Sequence, residues 1–378
     1  MIVGVLKEVQ EGENRVAATP QTVKDLIKCG LEVHVETSAG VASHYLDNDY
    51  EKAGAKIISD ASTILSKSDL IIKVAPATSN EIDLIPDGSS YISLIQTTRD
   101  LDTVKKLAQK KISAFSMHLI PRTTLAQSMD ALSSQANVAG YKAVIIGAMH
   151  LPVYMPLLMT AAGTIPPAKV LILGAGVAGL QAIATAKRLG AQVEAFDVRP
   201  EVKEQVESLG AKFVEVESDQ DDGVGEGGYA KETSEEYKQK QQVLMKEHIA
   251  KSDLVVTTAL IPGRPAPILI PKDMVDAMKK GSVIVDLAAE NGGNCELTSS
   301  GEIVNIDGVI IDGTLNLPST MPVHSSQLYA KNISTFIAHM TKEGNLNIDL
   351  DDEIISGSIF THEGKITHEP TQEAVDNS

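Results

Sequence analysis

The chain has 378 residues, of which 43% are hydrophobic and 3% aromatic, and this length suits two domains with sizeable cores. Its 33 basic and 50 acidic residues leave a formal net charge of −17, which argues against a surface that binds nucleic acid or an anionic membrane. The two cysteines, Cys29 and Cys295, have no metal-ligand spacing and indicate free thiols in a reducing compartment.

The chain opens with a predicted buried strand over residues 2–6 and continues into a charge-rich loop. The charged residues of this loop are Lys7, Glu8, Glu11, Glu13 and Arg15. Charged loops that follow a strand end are where α/β sheets place ligand contacts, and a solvated loop is an equally good interpretation. The sequence leaves both interpretations open.

One pattern occurs twice along the chain. Residues 66–75 read SKSDLIIKVA and residues 250–259 read AKSDLVVTTA, and each is followed downstream by a Gly-Ser pair that opens a strand, at Gly88 and at Gly281. Two domains built on one plan would produce this repetition. The sequence therefore predicts the α/β class, with two Rossmann-like domains whose parallel sheets flank a cleft, and such a cleft is the default place for chemistry.

The stretch from Pro121 is unusually polar and lies just before an apolar segment. It holds Arg122, Gln127, Asp130, Ser133, Ser134, Gln135 and Asn137. Gln127 and Asp130 stand three residues apart and could share a helical face, and Arg122 could pair with Asp130. Such a group could hold a nicotinamide carboxamide by hydrogen bonds, and a polar hinge between domains fits the spacing equally well.

Residues 143–163 are apolar over the length of a membrane span. Pro152 and Pro156 interrupt this stretch, and lysines stand on both sides of it. Because proline breaks helices, we expect a buried helix followed by a turn.

A glycine fingerprint follows a short apolar run over residues 170–173. Gly174, Gly176 and Gly179 are spaced as G-x-G-x-x-G and are followed by good helix formers. In this pattern the first glycine permits a tight turn, the second lets a pyrophosphate approach the backbone, and the third lets helix and strand pack closely. The phosphate would then lie on the free N–H groups at the helix N-terminus.

The strand predicted over residues 192–196 ends in Asp197. An acidic side chain at this place accepts hydrogen bonds from both ribose hydroxyls and meets a 2′-phosphate as a like charge. The pattern therefore favours NAD(H) over NADP(H). Arg199 could pair with a 2′-phosphate, so the preference stays open.

Three features of the carboxyl-terminal half bear on function. Residues 218–242, which include Tyr229, are too long and too polar for an ordinary connection and predict a lid or a disordered segment. Residues 328–340 have helical spacing and are expected to return the chain to the first domain. Residues 367–378 are expected to form a frayed tail.

Several long stretches carry a family resemblance. They read RTTLAQSMDALSSQANVAGYKAV, MTAAGTIPPAKVLILGAGVAGLQAIATAKRLGA, EGGYAKETSEEYKQKQ, TTALIPGRPAP and VDLAAENGGNCE. Together they resemble the soluble NAD(H)-binding component, domain I, of proton-translocating NAD(P) transhydrogenases. The similarity runs from residue 7 to residue 366.

The resemblance implies a subunit of the Re/Si-specific transhydrogenase. It would bind NAD(H) and pass hydride to NADP⁺ on a separate NADP(H)-binding component, while a membrane proton-channel component couples the transfer to proton translocation. A discontinuous companion domain of residues 1–132 and 319–378, and an NAD(H)-binding domain of residues 133–318, are expected. The resemblance also implies a homodimer, no nucleic-acid partner, and a cytoplasmic location with peripheral association to the inner membrane through the partner subunits.

Carried over residue by residue, the resemblance assigns site residues and no metal ligand. The set expected to position the dihydronicotinamide ring is Arg122, Gln127, Asp130 and Ser133. The set expected to bind the cofactor is Gly174, Gly176, Val177, Ala178, Gly179, Asp197, Val198, Arg199, Thr258, Ala259 and Leu260, with Tyr229 on a loop that closes over the nucleotide. Direct hydride transfer needs no acid or base on the protein, only two rings held face to face with water excluded.

Alanine dehydrogenase is the alternative, because that family has the same layout and shares Arg15 and Lys73 in the resemblance. It needs an acid/base histidine in the segment that corresponds to residues 93–98, which read SLIQTT here. Amination of pyruvate requires proton transfer, so the missing histidine counts against this alternative. A third class, a nucleotide-binding protein without turnover, has no reason to keep the ring-positioning set.

Overall fold

A computed structural model of the chain describes residues 1–215, 235–261 and 265–378. The chain divides into two compact units, the first made of Met1–Gln135 and Pro318–Ser378 and the second of Ala136–Leu317. The boundaries expected from the resemblance, at residues 132/133 and 318/319, concern independently folding domains and stay a prediction.

The amino-terminal region of the chain alternates strands and helices. Its strands are β1 (Ile2–Val5), β2 (Glu32–Glu36), β3 (Lys56–Ile58), β4 (Leu70–Ile72), β5 (Ser90–Ser93) and β6 (Ser113–Ser116). Its helices are α1 (Pro20–Lys28), α2 (Asp47–Ala53), α3 (Ala61–Lys67), α4 (Ser79–Leu84), α5 (Leu101–Gln109) and α6 (Ala131–His150). Thr19 caps α1 reciprocally with Thr22, and Pro20 takes the first helical position, where its missing N–H costs nothing.

The central region begins with a hairpin and continues as a second α/β run. Its strands are β7 (Leu158–Thr160), β8 (Gly163–Ile165), β9 (Lys169–Leu173), β10 (Gln192–Phe196), β11 (Lys212–Phe213), β12 (Leu254–Thr257), β13 (Val283–Asp286), β14 (Ile303–Ile306) and β15 (Val309–Asp312). Its helices are α7 (Val177–Arg188), α8 (Lys203–Ser208), α9 (Glu235–Lys251) and α10 (Lys272–Asp276).

The carboxyl-terminal region returns the chain to the first unit, as expected. Its helices are α11 (Pro322–His339), α12 (Glu353–Ser358) and α13 (Glu369–Asp376). Its strands are β16 (Thr341–Lys342), β17 (Asn345–Leu346), β18 (Ile359–His362) and β19 (Lys365–Ile366).

The sheet of the first unit has eight strands in the order β19-β18-β6-β5-β4-β1-β2-β3. The six strands from β3 to β6 are parallel, and β18 and β19 add an antiparallel edge. The chain builds outward from β1 to β3 and then crosses to the other side of β1 to make β4. The carboxyl ends of β1 and β4 therefore form a topological switch point, where open α/β sheets bind ligands.

The sheet of the second unit has seven strands in the order β11-β10-β9-β12-β13-β15-β14. All its pairs are parallel except β14 with β15. Its switch point lies between β9 and β12, and all four residues of β12 are buried, which is typical of a strand covered on both faces. The α/β class with two Rossmann-like parallel sheets is confirmed.

Helix α6 packs tightly within the second unit. A Cβ on Gly140 would lie 2.0 Å from the Ala178 carbonyl oxygen, and a Cβ on Gly147 would lie 2.5 Å from the Leu254 side chain. These glycines allow α6 to contact the start of α7 and the strand β12, so α6 supports both sides of the switch point.

Two local expectations differ from the structure. The apolar segment 143–163 forms the last two turns of α6, which ends at His150, and then the hairpin β7–β8. Residues 369–376 form α13 and not a frayed tail, because Thr371 is buried and its hydroxyl donates to Thr97 Oγ1 at 2.6 Å. Among the residues described, no helix has the length and apolarity that crossing a membrane requires.

Candidate nucleotide site

The glycine turn joins β9 to α7, and two of its glycines have no room for a side chain. Gly174 has φ +100°, and a Cβ there would lie 2.4 Å from Thr258 Oγ1. A Cβ on Gly179 would lie 1.8 Å from the Gly174 carbonyl oxygen. Gly176 differs, because a Cβ there would meet nothing within 4 Å. The turn is therefore closed on the protein side and open at Gly176, as a pyrophosphate cradle requires.

Helix α7 begins at Val177 with Gly176 as its N-cap and no side-chain cap. The first N–H groups of a helix have no intrahelical partner, and the helix dipole makes this end attractive to anions. The segment Val177–Gly179 therefore presents unused donors beside the open space at Gly176. These residues fit the diphosphate of a dinucleotide.

Asp197 follows β10 directly and is held by neighbouring donors. It accepts from Ala175 N–H at 2.7 Å, from Arg199 N–H at 2.9 Å, and from Arg199 Nε and Nη2 at 3.0 Å each. Burial alone would raise the pKa of Asp197, but the Arg199 guanidinium and the backbone N–H groups together lower that pKa below its usual value. Asp197 is thus ionised and bonded to Arg199, while the neighbouring Val198 side chain is 55% exposed.

The segment Thr258–Leu260 lies beside the glycine turn, at the end of β12. Thr258 N–H donates to the Leu173 carbonyl at 2.8 Å, and Thr258 Oγ1 donates to the Gly174 carbonyl at 3.1 Å. Leu260 is exposed. The structure therefore brings this segment together with the glycine turn, although the two are about eighty residues apart in the chain.

The ring-positioning set lies in the first unit and forms no single helical face. Gln127 begins a 3₁₀ turn that ends at Met129, and Asp130 stands between this turn and α6. Asp130 accepts from Ser133 N–H at 2.9 Å and from Ser133 Oγ at 2.6 Å. The expectation that Gln127 and Asp130 share a helical face is wrong, because Asp130 is the residue at which the 3₁₀ turn gives way to α6 and caps the latter.

The possible pairing of Arg122 with Asp130 is also absent from the structure. Within residues 1–215, no ion pair joins these two side chains, and those of Arg122 and Gln127 are exposed and bond to no described residue. Ala126 and Met129 are buried and anchor the loop. The loop therefore holds two polar side chains ready for a partner molecule. Tyr229 lies outside the described residues.

The charged loop after β1 turns out to be largely buried, so it is not a solvated loop. Lys73, at the end of β4, is fully buried, and its Nζ lies 2.7 Å from Glu81 Oε1 and 3.6 Å from Glu8 Oε2. Glu8 Oε1 accepts from Val74 N–H at 2.6 Å, while its Oε2 has no hydrogen bond. Burial raises the pKa of Glu8 to about 7, against the opposing attraction of Lys73.

Arg15 stands in the same loop and is held by its neighbours. Its guanidinium bonds both oxygens of Glu13, at 2.8 and 2.6 Å, and donates to Gln135 Oε1 at 2.8 Å. Burial, and to a lesser degree the charge of Arg15, lower the pKa of His118 to about 4. Both cations at this switch point, Lys73 and Arg15, are therefore paired within the chain.

Sequence reasoning missed three features of these sites: the Glu8–Lys73 pair as a buried contact, the close approach at Gly140, and the buried Asn294. Each depends on residues far apart in the chain. The only signal for Asn294 was the loop AAENGGNCE after β13, which the pattern identified as a loop without a role. In the portion of the chain described, no group of three His, Cys, Asp or Glu side chains is placed to hold a metal ion.

Comparison with known proteins identifies the family. The family model "Alanine dehydrogenase/PNT, N-terminal domain" matches residues 4–139, and "Alanine dehydrogenase/PNT, C-terminal domain" matches residues 143–369. The chain is 47% identical over 376 residues to the first of the NAD(P) transhydrogenase alpha-subunit polypeptides of Rhodospirillum rubrum, covering 97% of this chain and 98% of the relative. It is 46% identical over 368 residues to "NAD(P) transhydrogenase subunit alpha" of Haemophilus influenzae, covering 97% of this chain and 71% of that longer relative.

Solved structures agree with this grouping. The crystal structure of transhydrogenase from Sinorhizobium meliloti superposes with a TM-score of 0.89 at 46% identity, covering 97% of this chain and 100% of that one. An L-alanine dehydrogenase superposes with a TM-score of 0.84 at 26% identity, covering 100% and 99%. The chain belongs to the alanine dehydrogenase/PNT family, within its group of NAD(P) transhydrogenase alpha subunits.

Proposed function

We propose that this chain is the NAD(H)-binding component of a proton-translocating, Re/Si-specific NAD(P) transhydrogenase. The observation that carries the proposal is the open glycine turn with the uncapped start of α7, in a chain 47% identical to a transhydrogenase alpha subunit. Bound NADH would supply the hydride that passes directly to NADP⁺ held on a partner component. A membrane partner would couple this transfer to proton translocation.

Each residue set has a role in this proposal. Gly176 and the N–H groups of Val177–Gly179 hold the diphosphate, and Asp197 with Val198 and Arg199 holds the adenosine ribose. Thr258, Ala259 and Leu260 form a wall beside the turn. Because the four acceptor positions of Asp197 are filled by Arg199 and Ala175 donors, a ribose has to share or replace the Arg199 bonds.

The polar set Arg122, Gln127, Asp130 and Ser133 would position the dihydronicotinamide ring. Arg122 and Gln127 supply free donors and an amide oxygen suited to a carboxamide, while Asp130 and Ser133 fix each other and so fix the loop. No residue of this set has to transfer a proton, since hydride transfer requires orientation and exclusion of water. Tyr229 would help to exclude water.

The partners follow from the same proposal. The chain would act as a homodimer, cytoplasmic and held at the inner membrane through the NADP(H)-binding and membrane components. Exposed apolar side chains at the end of α6 and on the hairpin β7–β8 support a second copy as partner. They are Tyr141, Met149, Val153, Tyr154, Leu157, Met159 and Ile165.

An alanine dehydrogenase activity is the second candidate, favoured by the family model and by the similarity to an L-alanine dehydrogenase structure. Such an activity needs cationic groups for a carboxylate substrate and an acid/base group. Lys73 is shared between Glu8 and Glu81, and His118 is neutral at pH 7 because its pKa is about 4. These features favour the transhydrogenase component.

The test mixes this chain with the separately prepared NADP(H)-binding component of a similar transhydrogenase and follows NADH-dependent reduction of a spectrally distinct NADP⁺ analogue. We expect turnover only when both proteins are present. Oxidation of NADH by this chain alone, with pyruvate and ammonia, would instead establish the amino-acid dehydrogenase. NADPH replaces NADH as the control for cofactor preference.

A further inference from the structure

Asn294 is fully buried and spends its side chain on one backbone segment. Its Oδ1 accepts from Ala259 N–H at 3.0 Å, and its Nδ2 donates to the carbonyls of Ala259 at 2.9 Å and Pro267 at 2.8 Å. The amide thus pairs with both polar groups of Ala259, as a neighbouring strand would, and joins Ala259 to Pro267. All three hydrogen-bonding positions of this side chain that face the segment are used.

Asn294 is itself fixed by Asp286, the last residue of β13. Asp286 Oδ2 accepts from Asn294 N–H at 2.8 Å, from Cys295 N–H at 3.0 Å and from Thr298 Oγ1 at 2.6 Å. Its Oδ1 accepts at 2.8 Å from the hydroxyl of Thr257, the last residue of β12. Asp286 is 1% exposed, so this carboxylate fastens the loop to the sheet through charge-assisted hydrogen bonds.

The segment held by Asn294 is the one beside the glycine turn. Ala259 follows Thr258, whose hydroxyl donates to the Gly174 carbonyl, and precedes Leu260, whose side chain is exposed. The chain of contacts runs from Asp286 through Asn294 to Ala259 and ends at the wall of the proposed nucleotide site.

We propose that Asn294 is a positioning residue for NAD(H) binding, which holds Ala259 and Leu260 in the conformation that receives the cofactor, with Asp286 as its support. This inference rests on the proposed function. Asn294 does not touch the cofactor; it removes the freedom of a segment that does, so the ordering cost is met on folding and not on binding.

The test is Asn294→Asp, which keeps the shape and the acceptor for Ala259 N–H but replaces both donors with an oxygen that faces two carbonyls. We expect faster hydrogen exchange in the peptide containing Ala259 and an NADH Kd raised about tenfold, measured by fluorescence of bound NADH. The matched control is Ser282→Ala, which removes the buried bond from Ser282 Oγ to the Ser252 carbonyl at 3.1 Å, next to the opposite end of β13. It should lower thermal stability and leave the NADH Kd unchanged.

Faster exchange at Ala259 combined with a wild-type Kd would overturn the inference, and so would unchanged exchange. Should Asn294→Asp fail to fold, Asn294→Ser, which removes the same bonds without adding charge, is measured in the same way. Absence of NADH binding by the wild-type chain would refute the proposed function instead, and the exchange of Ala259 separates the two outcomes.

Discussion

Glu8 shows how burial sets the chemistry of a single residue. Its carboxyl lies at the switch point of the first unit, facing Lys73 from β4, Glu81 from α4, Tyr91 from β5, Tyr329 from α11, and Glu13 and Arg15 of its own loop. Burial raises its pKa from 4.5 to about 7. Because the folded state holds a proton between these values that the unfolded chain releases, the contribution of Glu8 to the free energy of unfolding falls as the pH rises through this range.

We expect Glu8→Gln to gain stability over the wild type as the pH rises, since glutamine keeps the acceptor for Val74 N–H and carries no charge to bury. Thermal unfolding at pH 5 and pH 8 measures this. The difference in unfolding temperature between variant and wild type should be larger at pH 8. Glu11→Gln, an exposed change in the same loop, controls for the loss of one charge, and an equal difference at both pH values for Glu8→Gln would contradict the pKa shift.

Gln127 gives the cleanest test of the ring-positioning set. Asp130 also caps α6 through Ser133, so Asp130→Asn mixes a loss of about 1 kcal/mol of helix stability with any effect on hydride transfer. The Gln127 side chain is exposed and bonds to no described residue, so Gln127→Ala leaves the fold alone. We expect the rate of hydride transfer to fall at least about tenfold with little change in the NADH Kd, because positioning and affinity are separable. Equal losses in rate and affinity would count against the role.

At the scale of elements, the glycine turn separates two kinds of constraint that a motif search treats alike. Gly179 is required by packing, since a Cβ would collide with the Gly174 carbonyl at 1.8 Å, whereas Gly176 has open space around it and φ −75°. Packing therefore explains Gly179, and room for a ligand explains Gly176.

Gly179→Ala and Gly176→Ala should therefore behave differently. For Gly179→Ala we expect a loss of about 1–3 kcal/mol in the free energy of unfolding, the usual cost of overpacking, together with weaker NADH binding. For Gly176→Ala we expect near-wild-type stability and an NADH Kd at least about tenfold higher, because the methyl group occupies the place of the diphosphate. Chemical denaturation and NADH titration measure both. Tight NADH binding by Gly176→Ala would refute the cradle.

At the scale of the whole molecule, the two sheets share one plan. In each unit the fourth parallel strand of the plan, β4 or β12, pairs with the first, β1 or β9. The repeated Ser-Asp dipeptide has the same task in both: Asp69 accepts from Ile2 N–H at 2.7 Å and Asp253 accepts from Lys169 N–H at 2.8 Å. The repeat recognised in the sequence thus marks the crossover strand of each sheet.

The apolar surface of the hairpin supplies the prediction at this scale. Met159 is 72% exposed and belongs to the apolar set at the end of α6. We expect the wild-type chain to elute as a dimer of 40.2 kDa subunits and Met159→Asp to elute as a monomer, since burying an unpaired charge is costly. Light scattering after gel filtration measures the mass. Val243→Asp, which changes an equally prominent residue of α9, should remain dimeric; a dimeric Met159→Asp would place the interface elsewhere.

The sequence by itself determined what depends on neighbouring residues. Apolar runs and glycine spacing defined the α/β class, the fingerprint Gly174–Gly179 and Asp197 after β10, because strand burial and turn geometry are local requirements. It also determined the family, through long consecutive matches. It could not assign Arg122 or Gln127 a contact, since a polar hinge has the same composition.

Only the tertiary structure decided the pairings that span the chain. Burial of Lys73 between Glu8 and Glu81, the four donors on Asp197, and the link from Asp286 through Asn294 to Ala259 all join residues that no periodicity relates. Each arises because a parallel sheet brings the carboxyl ends of separate strands to one edge, where buried polar groups must find partners. The partners available there are set by the strand order, which local sequence does not encode.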